Sequence, residues 1–138
     1  RQLQTDAEEW MGADAGWETK EFRVIRNTEE WEWVWHKVWS SRSSAPPVPD
    51  VDFSNSLVVA VFMGSKPTTG HSIRIVSQNI VAGEKEKSLL IGVKSASPPP
   101  ESLSGAAMTS PYHIKVVTGF VGPVVFEEVG GSTTLLEP

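Results

Sequence analysis

LVVAVFMGSKPTTGHSIRI, residues 57–75, decides how this chain is read. Leu57 to Met63 is an unbroken apolar run rich in β-branched residues, the pattern of a strand covered on both faces. Such a strand belongs in the middle of a sheet. Gly64 and Gly70 bracket Ser65-Lys66-Pro67-Thr68-Thr69, so the backbone is free at both ends while Pro67 fixes one φ between them. Ser72-Ile73-Arg74-Ile75 then alternates polar and apolar residues, and the whole segment reads as two strands joined by a shaped hairpin loop.

Upstream, the period changes. All six tryptophans lie before residue 40, and Trp31, Val34, Trp35, Val38 and Trp39 fall at i, i+3, i+4, i+7 and i+8, one apolar stripe of a helix. The spacing predicts a helix from about Thr28 to Trp39. Asn27 or Thr28 caps its start, Glu30 stands three residues after Asn27 as in a capping box, and Glu29 and Glu30 face the positive end of the dipole. At 100° per residue Trp33 lies opposite the stripe, beside Glu29, His36 and Lys37, and is expected to be partly exposed and available to an interface. The serines and prolines of residues 40–49 end the helix and give an extended crossing connection.

Downstream the β pattern continues at residues 88–93, 113–117 and 124–126, with a further strand expected at residues 21–26 before the helix. Ser97 to Gly105 is a long polar connection suited to mobility and recognition. The expected fold class is α+β: a mainly antiparallel sheet, or an open barrel or sandwich, with one Trp-rich amphipathic helix packed on it. The 138 residues suffice for a single domain with its own core. Residues 1–20 are expected to be loosely ordered. Residues 128–138, with Gly130-Gly131-Ser132-Thr133-Thr134, are expected to form a flexible tail.

Composition narrows the chemistry. Without cysteine the chain has no disulfide, thiolate zinc site or thiol nucleophile. A formal charge of −5 with no Lys/Arg cluster argues against nucleic acid or an anionic membrane as partner. No apolar run approaches the roughly 18 residues of a membrane span. The chain begins at Arg1, so a processed or trimmed N-terminus is expected, any signal peptide having been removed.

The search for catalytic patterns returns negatives. There is no GxxxxGK[ST], no GxGxxG before a helix and no HExxH. His36, His71 and His113 share no ligand spacing, although His71 and His113 are far enough apart in sequence to meet in space. Asp50 and Asp52 flank one valine, and their ordinary role is an Asx-turn or cap. His71 and Ser72 are adjacent in an extended segment and point to opposite faces, so they do not form a base and nucleophile. No catalytic residue, metal site or cofactor is assigned, and an enzyme is not expected.

Val51-Asp52-Phe53-Ser54, Val58-Val59-Ala60-Val61-Phe62, the loop from Gly64 to His71, Ser72-Ile73 and Thr109-Ser110-Pro111-Tyr112-His113 together resemble the PrcB-like family, named after an accessory subunit of a bacterial secreted protease complex. The likeness extends to the Trp-rich helix. This chain departs from the family in the loop, with Thr69 where a second glycine is usual and His71 where a tyrosine is usual. The resemblance implies a non-catalytic accessory or assembly subunit of a secreted protease system, located outside the cytoplasm as a secreted, periplasmic or cell-surface protein. Its expected partner is a protein such as a protease. Over a few residues Pro67-Thr68-Thr69-Gly70 also resembles the NPTTG loop of chagasin-type cysteine-protease inhibitors, with Lys66 in place of the asparagine, and this gives an inhibitor as the alternative. A general surface-binding domain is the third reading. The expected recognition residues are Gly64, Lys66, Pro67, Thr68, Thr69, Gly70 and His71, together with Trp33.

Overall fold

A computed structural model describes residues 8–42, 44–99, 105, 107–129 and 134–136. Chain order gives β1 (Glu9–Gly12), β2 (Glu21–Ile25), α1 (Thr28–Val38), β3 (Ser56–Phe62), β4 (Ser72–Ala82), β5 (Lys87–Ala96), β6 (Tyr112–Thr118), β7 (Val124–Glu128) and β8 (Thr134–Leu136). The strands form two four-stranded sheets, ordered β1-β6-β3-β2 and β4-β5-β7-β8. Among the described residues every strand-to-strand pairing is antiparallel except that of β5 with β7. Among the described residues the architecture is an α+β sandwich with no closed barrel, in keeping with the fold class the sequence patterns predict.

The double burial of β3 organises the layers. Alternate side chains point to opposite faces of a strand, so one run of seven buried residues must serve two cores. Leu57, Val59 and Val61 face the second sheet, where Ile73, Ile75, Leu89, Ile91, Val93, Val124 and Phe126 close the sandwich. Val58, Ala60 and Phe62 face the other way, onto the helix residues Trp31, Val34, Trp35 and Val38. The order is therefore helix, first sheet, second sheet.

The helix starts as expected: the Asn27 side chain accepts a hydrogen bond from the Glu30 N–H at 2.8 Å. Its buried indoles also solve a polar problem, since a buried N–H without a partner costs on the order of 1–3 kcal/mol. Trp31 Nε1 donates to the Pro49 carbonyl at 2.8 Å and Trp35 Nε1 to the Pro46 carbonyl at 2.9 Å. Proline keeps its acceptor while giving up its donor, so the proline-rich connection suits this cover. Asp52 makes the expected Asx-turn, accepting from the Ser54 N–H and hydroxyl.

Three expectations need correction. The loop from Gly64 to His71 does not close a hairpin, because both sides of β3 are already taken by β2 and β6, and the chain crosses instead to the second sheet, where β4 pairs with β5. Residues 8–20 are not loose: β1 pairs with β6, Ala15 and Trp17 are buried, and the Trp17 ring stacks on Phe62 with centroids 3.9 Å apart. In the expected tail, Thr134–Leu136 pair with β7 as β8; residues 1–7, 130–133 and 137–138 lie outside the described residues.

Candidate functional site

The crossing loop is held at almost every residue. Gly64 and Gly70 adopt φ values of +87° and +93°, and a Cβ on Gly64 would stand 2.9 Å from the Lys20 backbone nitrogen, so glycine is required there twice over. The Ser65 N–H donates to the Glu18 carbonyl at 3.0 Å. Lys66 and Thr109 exchange two backbone hydrogen bonds, of 2.7 and 2.8 Å. The Thr69 N–H donates to the Gly105 carbonyl and the Gly105 N–H returns a bond to Thr69 Oγ1. Thr109 Oγ1 donates to the Thr68 carbonyl. Thr68 Oγ1 lies 3.0 Å from His71 Nε2, and His71 Nδ1 lies 3.0 Å from Ser97 Oγ.

Both threonine hydroxyls are thus engaged within the protein, while at the tip Pro67 is exposed and Lys66 is half-buried. The connection from Ser97 to Gly105, expected to be mobile, is tied to the loop at its described ends, with Pro98 against Gly70 as well as the Ser97 and Gly105 contacts; residues 100–104 lie outside the described residues.

Shallow grooves flank this ledge. One, of about 390 Å³, is lined by Asp14, Arg42, Ser65, Met108 and Thr109 among others. A second, of about 280 Å³, lies between the edge strands β1 and β4 and includes Met11, Tyr112, His71, Ile73 and Arg74. Met108 is 69% exposed and Met11 49%, large apolar side chains that water does not favour. Burial raises the Tyr112 phenol above its usual value, against the opposing pull of Arg42. The face combines these apolar side chains with Lys66 and Arg74, whereas Arg42 is ion-paired with Asp14 at 3.7 Å.

Trp33 is 52% exposed, as its place on the helix predicts, but it lines neither groove. It sits edge-on to Trp17 at 5.7 Å, with the Arg23 guanidinium at 5.2 Å and the Lys37 ammonium at 5.3 Å from its ring. The structure therefore separates it from the loop as a second patch.

His71 and His113 do not pair with each other. His113 is buried and accepts the Ile75 N–H at Nδ1, 2.8 Å away, so its hydrogen resides on Nε2, which donates to Glu9 Oε1 at 2.7 Å. The side chain links β6 and β1 of one sheet to β4 of the other. Among the described residues no group of three metal-binding side chains converges.

Burial pushes His113 below the ordinary imidazole value, outweighing the Glu9 carboxylate that pulls it up. Glu9 is in turn lowered, chiefly by the hydrogen bond from His113. Unfolded His113 takes up its proton near pH 6.5, before the folded protein does, so its contribution to stability is whole above that pH and is lost as pH falls toward the depressed folded value. The Glu9 contribution follows at lower pH, lost as pH falls through its lowered value. The thermal midpoint of the wild type should therefore fall from neutral pH toward about pH 5. His113→Gln should be less stable at neutral pH and show a shallower slope over that window; parallel pH curves would refute this assignment of His113.

The loop was legible in the sequence; the grooves were not. Met11, Arg42, Arg74 and Met108 are scattered along the chain and reach the groove linings through long-range contacts such as the pairing of β1 with β6 and of Lys66 with Thr109.

Residues 57–118 match the family described as PrcB C-terminal. The match runs from β3 into β6 and contains the loop. No curated protein and no solved structure matches the chain.

Proposed function

We propose that this chain, a PrcB C-terminal-like protein over residues 57–118, is a non-catalytic protein-binding domain that serves as an accessory or assembly subunit of a secreted bacterial protease system. One observation carries the reading: Ser97, Gly105 and Thr109, three of the residues that hydrogen-bond to the loop, lie inside the family-matched span with it. A preformed ledge lowers the ordering cost of docking, which favours recognition without chemistry. The exposed methionines and flanking cations fit a partner with an acidic, partly apolar surface, met outside the cytoplasm as a secreted, periplasmic or cell-surface protein. No helix among the described residues is long and apolar enough to cross a membrane.

The same rigidity supports a second reading, an inhibitor that presents residues 64–71 to a protease cleft. Activity separates the two. Purified protein titrated into the protease fraction of the native secretome is expected to maintain or raise proteolysis, with a plateau at stoichiometric addition. A linear loss of proteolysis reaching completion at one equivalent would establish the inhibitor instead.

A further inference from the structure

We propose that the outer edge of β4, beyond its bulge, pairs with the same edge of a second copy of this chain, around a two-fold axis at Gln78. Every residue from Val76 to Lys87 is exposed, including Val76 at 41%, Ile80 at 54% and Val81 at 42%. The register of β4 on β5 shifts between Ile75 and Ser77, leaving Val76 as the extra residue of a bulge. Before the bulge the edge is occupied, since the Ile75 N–H donates to His113 in the other sheet. After it, no strand among the described residues pairs with the outer side of β4.

Open edges of this kind are usually blunted by lysine, proline or inward charge. Between Ile75 and Ala82 there is none of these.

The sequence of the edge fits itself. Val76-Ser77-Gln78-Asn79-Ile80 reads apolar, polar, Gln, polar, apolar in both directions. Antiparallel pairing centred on Gln78 sets Ser77 against the second copy's Asn79 and Val76 against its Ile80, so like meets like across the axis. The pairing would join two four-stranded sheets into one continuous sheet. A foreign extended peptide could occupy the same edge, but it would not need the two-fold pattern that centres on one glutamine.

Sedimentation equilibrium over a concentration series tests this. Wild-type mass should rise from monomer to dimer. Gln78→Lys and Gln78→Glu each place like charges face to face at the axis, and each should weaken the dimer about tenfold or more while melting as the wild type does at low concentration, because Gln78 is exposed. An equimolar mixture of the two variants should recover the dimer. A wild type that stays monomeric throughout, variants that dimerise as well as the wild type, or a mixture that stays monomeric would each overturn the proposal.

Discussion

Trp35→Ala is expected to remove about 3–5 kcal/mol of folding stability, a large part of what a domain of this size has. Trp35 is 1% exposed and is surrounded by the rings of Trp10, Trp31 and Trp39 at 5.3, 5.5 and 5.6 Å. Truncation would open a cavity among side chains that are themselves fixed, and it would strip the Pro46 carbonyl of its donor. Trp33→Ala, two residues away, should cost about 1 kcal/mol or less, because it loses only an edge contact and cation–π pairs at the surface. Urea unfolding of the two variants gives the comparison. Equal losses would mean that the layering of α1 on the first sheet is wrong.

The second large effect is on recognition. Lys66→Glu combined with Met108→Asp should weaken partner binding by roughly 10-fold to 100-fold, since it reverses the charge at the tip of the ledge and puts a carboxylate where an exposed apolar side chain stood. The thermal midpoint should barely move. Lys66 contributes its backbone, not its side chain, to the bridge with Thr109, and Met108 is mostly in water. Thr68 and Thr69 are poor positions for the same test. Their hydroxyls hold the loop to His71 and Gly105, so alanine there should lower stability and confuse binding with folding.

How much of this was legible follows from the range of each interaction. The α1 stripe and the doubly buried β3 were readable because a period of 3.6 or a continuous apolar run is a local signal with one dominant structural solution. The start of α1 was readable for the same reason, while the choice of Asn27 over Thr28 as its cap is made by the structure. β1 and β8 were not, because short strands with exposed or glycine-flanked neighbours gain their order from the partner strand. The distal half of β4 was hidden by Ser77-Gln78-Asn79, which breaks the alternation just after the bulge. His113 carried a signal, since it ends one of the segments that resemble the PrcB-like family, but its task as a link between sheets depends on Ile75 and Glu9 and could not be read from spacing. The loop was recognised as shaped, while the direction in which it leads was set by the sheet order.

The docking role of the ledge is tested most directly by affinity capture from the native secretome, followed by measured affinity for the purified captured protein. Wild-type protein is expected to retain a component of a protease system, the Lys66→Glu/Met108→Asp variant to bind it at least about tenfold more weakly, and Trp33→Ala to bind it as the wild type does. Equal affinity of wild type and loop-face variant, with binding lost in Trp33→Ala, would contradict the assignment and move the recognition surface to the patch formed by Trp17, Trp33, Arg23 and Lys37.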